Sequence, residues 1–532
     1  MKRIILCSDG TGNIGGKGRG TNVWKIYKAL DRRGHERTPA GGPEQIAFHD
    51  DGVGTSDFKV FKMLGGLVGW GLGRNIRDLY TALASCYRPG DKLYLFGFSR
   101  GAFTIRSLAG MISRCGIADR NQLGEDLLED RVAQAYRCYR KAPERSAEFR
   151  AKYAVQHPTL TPDGRVPIQF VGVWDTVDAI GVPFDWMRTL IYAVARHVRR
   201  PHDHDINHDM VYGYHAIAVD DERRTFDPVM WDEHKATPNQ IIQQAWFAGV
   251  HSNVGGGYPR QGMSALTLDW MMEMAEHAEP DAEDHGLRFT AYDRQQARNE
   301  ADVHARLYDS RAGMAAYFRY RPRAIEETCR TYCLGKPKVH VSALQRIERS
   351  VESYAPGVLP IDFDIVTTES HLQPVAQAFA ERLAATRDQR IAARGRYGRL
   401  VRMRVIFYHV FVGITILAAS LSVYFRLADG SDRLPSFAGF FPSFNAAIST
   451  PAEDAPFLLE AASRAYHLVP AIANAAIPAS WEGFINGLFD RPDLVLLIAG
   501  TLAVLLYWRQ RVMRSMRLIV QRTWKAVFSE TS

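Results

Sequence analysis

One pentapeptide of this chain has the residue types and spacing of a nucleophilic serine. Gly97-Phe98-Ser99-Arg100-Gly101 matches the pattern Gly-x-Ser-x-Gly. It follows a short apolar run, 93–96, that is typical of a strand, and a helical pattern begins at Ala102. A serine on such a strand–turn–helix junction projects its hydroxyl from a sharp turn, and the flanking glycines allow a close backbone approach. The pattern predicts a nucleophile elbow at Ser99; the alternative is a glycine-rich turn without chemistry.

A nucleophilic serine needs a base, and the base needs an acid that orients it. Asp175 follows the apolar run 168–174, and His251 follows the run 245–250. Both therefore lie at the carboxyl ends of predicted strands, the edge at which sites form in open α/β sheets. The chain order Ser99, Asp175, His251 is also the order found in α/β-hydrolases. The sequence thus predicts a Ser–His–Asp triad.

Other residues compete for the acid's role. Asp178 lies three residues after Asp175, and Asp220 follows the predicted strand 215–219. Because Asp220 opens the run Asp-Asp-Glu-Arg-Arg, we interpret 220–224 mainly as an ion-pair cluster. Asp175 is therefore the predicted acid, and Asp220 remains the alternative.

A triad of this kind also needs donors for the oxyanion that forms on the substrate. The backbone N–H of Arg100, next to the nucleophile, is the first predicted donor. The second should come from a loop after an early strand, and Gly10 lies in such a loop, Ser8-Asp9-Gly10-Thr11-Gly12. A plain β-turn is the alternative for this loop.

No cofactor or metal is expected. The first glycine-rich loop lacks the Gly-Lys-Ser/Thr that a phosphate-binding P-loop requires. Six cysteines include no Cys-x-x-Cys pair, which argues against structural zinc. The segment 202–205, His-Asp-His-Asp, is a weak metal pattern that we do not adopt.

The elements that position these residues alternate between strands and helices. Short, continuously apolar strands fit a sheet that is buried on both faces. We therefore expect an α/β fold of the α/β-hydrolase type, a mostly parallel sheet covered by helices, over residues 1–280, followed by a helical extension, 281–395, that completes the catalytic region. The predicted strands are 4–7, 46–49, 92–98, 168–174, 215–219 and 245–250; the predicted helices are 23–30, 73–87, 102–114, 123–139 and 264–276.

The remaining residues, 396–532, contain two apolar segments. Residues 405–425 include no Asp, Glu, Lys or Arg over 21 positions, enough to span the ~30 Å hydrocarbon core as a helix. Residues 494–508 form a shorter run of 15, for which a re-entrant or interfacial helix is the alternative. The sequence predicts a transmembrane hairpin with an intervening loop, 426–493.

Arginines flank the outer ends of this hairpin. Four follow the second segment, at 509, 511, 514 and 517, and eight precede the first, at 382, 387, 390, 394, 396, 399, 402 and 404. The positive-inside rule then places the catalytic domain and the C-terminus in the cytoplasm, with a bacterial inner membrane as the expected location. We therefore interpret the basic stretches of this chain, whose net charge is +8, as contacts with anionic lipid, and no nucleic-acid partner is expected.

Six ordered blocks of residues resemble one family. It is the uncharacterised α/β-hydrolase domain family that includes the type VI secretion phospholipase effectors of the first lipase group. Two further blocks, 340–342 and 354–356, extend the resemblance to about residues 1–360. The six blocks are Asp9-Gly10-Thr11-Gly12-Asn13, Thr21-Asn22-Val23, Asp51-Gly52-Val53-Gly54-Thr55, Gly97–Ala102, Val173–Val177 and Trp246–Tyr258.

The resemblance implies a triad of Ser99, Asp175 and His251 and the hydrolysis of lipid esters without a cofactor. Asn253 departs from the family pattern, in which we expect Asp at this position in many members. The leading hypothesis is a membrane-anchored serine hydrolase of carboxylic esters, with the bilayer and a phospholipid as partners. The resemblance also points to a secretion-system or immunity partner without identifying it. The alternatives are a catalytically idle membrane adaptor with the same fold and an esterase of a non-lipid acyl substrate.

Overall fold

Eight parallel strands form one sheet in the order β2-β1-β3-β4-β5-β6-β7-β8. The structure is a computed structural model, and it describes residues 1–10, 20–32, 43–51, 71–122, 125–157, 160, 165–178, 209–279, 286–367, 369–427 and 492–529. The strands are β1 Lys2–Ser8, β2 Glu44–Asp50, β3 Lys92–Phe98, β4 Ile168–Trp174, β5 Met210–Ala218, β6 Ile241–Phe247, β7 Lys338–His340 and β8 Asp364–Val366. The predicted α/β class with a mostly parallel sheet is confirmed.

Helices connect the strands and cover the sheet. Those before β4 are α1 Asn22–Ala29, α2 Leu72–Cys86, α3 Arg100–Cys115, α4 Glu125–Lys141 and α5 Ser146–Tyr153. The later ones are α6 His251–Gly255, α7 Gly262–Glu276, α8 Ala291–Glu300, α9 Ile325–Tyr332, α10 Val341–Glu348, α11 Gln373–Ala385, α12 Arg387–Leu427 and α13 Pro492–Ser529. All five predicted helices of the sheet region match helices of the structure.

Both faces of the sheet are buried, because alternate residues of a strand point to opposite faces. In β1, Ile4 and Leu6 belong to one apolar core, which includes residues of α2, α3 and α4. Ile5 and Cys7 belong to a second core, which includes residues of α1 and α7. This burial on two faces explains why the central strands read as continuous apolar runs.

Four of the six predicted strands have other bounds in the structure, and two further strands were not predicted. β1 and β2 are each longer by a few residues than predicted. β5 begins at Met210 and β6 begins at Ile241, four or five residues before the predicted starts, and β6 ends at Phe247. The sheet also continues beyond residue 280, since β7 and β8 lie within 281–395, the extension that we expected to be helical. Each of these two strands has three residues, too few for a recognisable alternation of apolar and polar positions.

The described chain forms two compact units. One comprises Met1–Gly395 together with Ile519–Ser532, and the other comprises Arg396–Leu518. Both predicted membrane segments are helical: 405–425 lies within α12 and 494–508 within α13. Among the described residues, one helix, Arg387–Leu417, is long and apolar enough to cross a membrane, and 6% of its most apolar stretch is buried. Most of the predicted loop 426–493 lies outside the described residues.

Candidate active site

Ser99, Asp175 and His251 lie in one hydrogen-bonded row at the carboxyl edge of the sheet. His251 Nε2 is 2.8 Å from Ser99 Oγ, and His251 Nδ1 is 2.6 Å from Asp175 Oδ2. All three side chains are buried, with Asp175 fully enclosed and Ser99 7% exposed. Ser99 and Asp175 follow the adjacent strands β3 and β4, and His251 follows β6, from which β4 is separated by β5. Because the strands are parallel, the three residues lie at the same edge of the sheet.

Ser99 lies on a strained turn between β3 and α3. Its backbone has φ 59° and ψ −123°, a conformation that a residue with a side chain rarely adopts. Its N–H donates to the carbonyl of Trp174 at 3.1 Å, which ties the turn to the end of β4. A Cβ on Gly101 would overlap the carbonyl oxygens of Ser8 and Asp9, and a Cβ on Gly97 would lie 2.6 Å from the Cα of Ala102. The close approach expected of both glycines is therefore real.

Asp175 directly follows β4, and its carboxylate is held by several donors. The backbone N–H of Ala218 donates to Oδ1 at 3.0 Å. Nη2 of Arg323 donates to both oxygens, at 3.1 Å to Oδ1 and 2.8 Å to Oδ2. Burial alone would raise the pKa of this carboxyl, but the Arg323 guanidinium and the hydrogen bond from His251 lower it below its usual range. Asp175 is therefore ionised at neutral pH.

His251 is the first residue of α6 and lies between two aromatic rings. The ring centroids of Phe98 and Phe226 are 4.6 and 5.0 Å from the centroid of its imidazole. Its backbone N–H donates to Asp221 Oδ2 at 3.2 Å. Burial lowers the pKa of His251 below its usual value, although the hydrogen bond to Asp175 opposes this shift. The imidazole is therefore neutral at neutral pH, which is the state that a general base requires.

The alternative acids do not occupy the position next to the imidazole. The Asp220 carboxylate accepts hydrogen bonds from the Gly249 N–H at 2.7 Å and from the Tyr354 hydroxyl at 2.8 Å. Burial raises its pKa to about 7. Asp220 thus holds the backbone just before His251. The carboxylate that bonds to the imidazole Nδ1 is that of Asp175.

The ion-pair cluster expected at 220–224 is present in part. Arg223 donates to Asp221 through Nε at 3.0 Å and through Nη2 at 2.7 Å. The Arg223 guanidinium also lies over the Phe226 ring, 3.4 Å from its centroid. The predicted ion pairing is therefore seen between Asp221 and Arg223, whereas Asp220 makes hydrogen bonds to Gly249 and Tyr354.

The two predicted oxyanion donors differ in their surroundings. Arg100 is the first residue of α3, where a backbone N–H has no acceptor within the helix. The Gly10 N–H instead donates to the Asp9 carboxylate at 2.6 Å, so in this structure Gly10 does not offer the free donor that we expected. The reason is local: an aspartate side chain in a tight turn competes for neighbouring backbone N–H groups.

Arg323 is the site residue that sequence reasoning missed. It lies in the segment 319–323, which has no helix or strand pattern of its own. Two backbone hydrogen bonds align this segment with the loop after β5: Arg224 N–H to the Arg319 carbonyl at 2.9 Å, and Arg321 N–H to the Glu222 carbonyl at 2.8 Å. This pairing between distant segments helps to bring Arg323 to Asp175, and no local sequence motif indicates it.

Asn253, the departure from the family pattern, has a structural role. Its side-chain oxygen accepts from the Tyr308 N–H at 3.3 Å, and its side-chain nitrogen donates to the Arg306 carbonyl at 3.1 Å. An amide can make both bonds because it carries a donor and an acceptor, whereas a carboxylate can only accept. Asn253 therefore joins the histidine helix to the segment 306–308.

In the part of the chain that the structure describes, no group of three or more His, Cys, Asp or Glu residues could hold a metal ion. The weak His-Asp-His-Asp pattern at 202–205 lies outside those residues.

Two known proteins align with parts of this chain. A protein from Saccharomyces cerevisiae, "Uncharacterized protein YEL023C", is 29% identical over 245 residues, which cover 42% of this chain and 32% of that protein. The chain thus spans about a third of the length of this curated relative. A crystal structure of an uncharacterized protein from Pseudomonas aeruginosa aligns with a TM-score of 0.33 and 16% identity over 77% of this chain and 59% of that one.

A family model identifies the first half of the chain. Its description is "T6SS, Phospholipase effector Tle1-like, catalytic domain", and it matches residues 2–274, just over half of the 532 residues. The match includes Ser99, Asp175 and His251 and ends before Arg323. The resemblance drawn from the sequence is confirmed, and the chain belongs to the family of Tle1-like phospholipase effector catalytic domains of type VI secretion systems.

Proposed function

We propose that this chain is a membrane-anchored serine hydrolase of the α/β-hydrolase type that cleaves carboxylic esters of phospholipids. The observation that carries the proposal is the pair of distances at His251, 2.8 Å to the Ser99 hydroxyl and 2.6 Å to the Asp175 carboxylate. This is the arrangement of a nucleophile, a base and an orienting acid. The phospholipase family of the matched residues supports a lipid substrate.

In the proposed reaction, the Ser99 oxygen attacks the ester carbonyl carbon while its proton passes to His251 Nε2. The tetrahedral intermediate collapses, the lipid alcohol leaves with that proton, and the fatty acyl group stays on Ser99. Water then attacks the acyl-serine with His251 again as the base, which releases the fatty acid and restores the hydroxyl. Asp175 stays ionised throughout and stabilises the imidazolium that forms in each step.

The oxyanion of both tetrahedral intermediates forms next to the amino end of α3. We assign the Arg100 N–H as one donor, because it is adjacent to the nucleophile and lacks an intrahelical acceptor. The positive end of the dipole of this 16-residue helix adds to the stabilisation. Gly10 becomes a second donor only if its N–H leaves the Asp9 carboxylate.

Apolar side chains on two helices support the membrane anchor. On α12, Ile406 and Leu417 are 61% and 58% exposed, and on α13, Val504 and Tyr507 are 56% and 59% exposed. Water-exposed apolar surface of this kind is typical of membrane contact. The two helices form the proposed hairpin, with α12 as the first span and the start of α13 as the second. A bilayer anchor would also keep the catalytic residues close to their lipid substrate.

The test is hydrolysis of phospholipid by the full chain in mixed micelles, followed as released fatty acid. We expect Ser99→Ala to lower turnover at least ~10³-fold, because no other group can carry the acyl intermediate. Ser85→Ala, on α2, is the matched control and should keep wild-type turnover. Equal turnover in Ser99→Ala and wild type would refute the proposal.

A further inference from the structure

Arg323 is the residue that neutralises the buried acid of the site. It is 3% exposed and Asp175 is fully buried, so their ion pair has almost no contact with water. A carboxylate in such a place is costly unless a charge or several donors stabilise it. Apart from His251, the described residues that donate to Asp175 are Ala218, through its N–H, and Arg323, and of these two only Arg323 carries a charge.

One nitrogen makes the whole contact. Nη2 of Arg323 bridges both carboxylate oxygens, at 3.1 and 2.8 Å, while its Nε and Nη1 have no hydrogen-bond partner in the described part of the chain. The bridging nitrogen limits rotation of the carboxylate, whose Oδ2 faces His251 Nδ1. Arg323 thus helps to fix the direction of the Asp175–His251 hydrogen bond.

Arg323 also lies outside the residues that the family model matches, 2–274. It reaches the site because the segment 319–321 pairs with 222–224 through two backbone hydrogen bonds. The extension after the matched domain therefore contributes a buried cation to the candidate active site.

We propose that Arg323 is a positioning residue of the triad, whose guanidinium holds the Asp175 carboxylate ionised and aligned so that His251 remains an oriented, neutral base. This inference rests on the proposed function, because it assigns a role in the same reaction. Arg323 does not touch the substrate in this account; it acts through Asp175.

The other titratable groups near the His251–Asp175 pair are either paired with an opposite charge or neutral. Asp221 is paired with Arg223, which keeps its pKa low despite burial. His215 is uncharged at neutral pH, because burial lowers its pKa to about 3. Among the described residues, the titratable and charged groups around the His251–Asp175 pair are His215, Asp221, Arg223 and Arg323. Removal of Arg323 therefore leaves the charge of Asp175 without a counter-ion.

The experiment measures kcat/KM against pH for the full chain with Arg323→Gln, Arg323→Lys and a control, Arg321→Gln. Arg321 lies on the same segment, but its side chain pairs with Asp227 at 3.5 Å. In Arg323→Gln, Asp175 has lost its counter-ion, which raises either the pKa of Asp175 itself or the pKa of His251. Both effects move the acid limb of the profile to higher pH, by about one pH unit.

We expect Arg323→Lys to return the limb towards the wild-type position, because one charged nitrogen suffices for the observed contact. Arg321→Gln should leave the limb unchanged. The proposal is overturned if the limb of Arg323→Gln coincides with that of wild type, or if the lysine variant behaves like the glutamine variant. A merely structural arginine would lower activity without a displaced limb.

A double variant keeps the test valid if Arg323→Gln does not fold. Asp175→Asn together with Arg323→Gln removes both charges, so it should be at least as stable as Asp175→Asn alone, which leaves a buried cation unpaired. A double variant that is less stable than Asp175→Asn alone would contradict the pairing. If Ser99→Ala retains activity, the proposed function fails; if only the Arg323 profiles fail, the triad stands without this positioning role.

Discussion

At the residue scale, the ionised side chains around His251 form pairs. Asp175 is paired with Arg323, and Asp221 is paired with Arg223. The imidazole is enclosed by Phe98 and by Phe226 and is kept neutral by burial. Such shifted pKa values in a buried cluster are typical of active sites, because the site is organised for a charge that appears only during reaction.

The first prediction concerns the acid. Asp175→Asn should lower kcat by about 10⁴-fold, because the amide no longer fixes the imidazole tautomer. It should also lower the free energy of unfolding by about 3 kcal/mol, because Arg323 loses its buried counter-ion. Steady-state kinetics and denaturant unfolding measure the two effects. Asp220→Asn is the comparison; if it lost activity while Asp175→Asn kept wild-type turnover, the acid would be Asp220.

The second prediction concerns the base. His251 acts only when it is neutral, and burial lowers its pKa below the ordinary value of 6.5. A lowered pKa keeps the imidazole deprotonated at more acidic pH, so the acid limb of kcat/KM should have its midpoint below pH 6.5. A pH series on a soluble p-nitrophenyl ester measures it. A midpoint above pH 7 would contradict the burial seen here.

At the element scale, the central strands could be predicted because burial on both faces gives an uninterrupted apolar run. Lys92–Phe98 and Ile168–Trp174 were predicted with the bounds that the structure has, and the residues that follow them, Ser99 and Asp175, could therefore be placed at one edge. The three-residue strands β7 and β8 are too short for such a signal. Arg323 was unpredictable for a different reason, since its position depends on backbone pairing between distant segments.

The third prediction concerns the loop between β6 and α6. Asp220 has a pKa of about 7 in the folded state and 3.8 as its ordinary value, so the folded chain binds this proton more tightly. Its contribution to stability is therefore complete below pH ~4 and is lost as the pH rises to ~7. The stability of wild type relative to Asp220→Asn should accordingly fall between pH 5 and pH 8. Unfolding at the two pH values measures this, and an unchanged difference would rule out the shifted carboxyl.

At the scale of the whole molecule, the chain combines a domain of a phospholipase effector family with one described helix that is long and apolar enough to cross a membrane. Arg387–Leu417 has the length and hydropathy of a membrane span, and only 6% of its most apolar stretch is buried. A soluble core helix would instead be mostly buried. The arginines that flank the two apolar segments predict which side of the membrane each part occupies.

The fourth prediction concerns this topology. Residues 1–400 and 510–532 should share the cytoplasmic side, with 430–490 across the membrane, because the arginines cluster at the outer ends of the hairpin. Single cysteines at 449, 480 and 532, in a chain without its six native cysteines, can be labelled in intact cells. An impermeant thiol reagent should reach 449 and 480 but not 532. Labelling at 532 would contradict two spans, and no labelling at 449 would contradict the orientation.

The central claim is that His251 activates Ser99 as a nucleophile, and a fluorophosphonate probe tests it most directly. The full chain is treated with the probe, digested and examined by mass spectrometry to locate the adduct. We predict one phosphonylated residue, Ser99, at a rate that falls at least ~10²-fold in His251→Ala and stays unchanged in Ser85→Ala. An unmodified Ser99 in the folded wild-type protein, as a catalytically idle adaptor would show, would contradict the account.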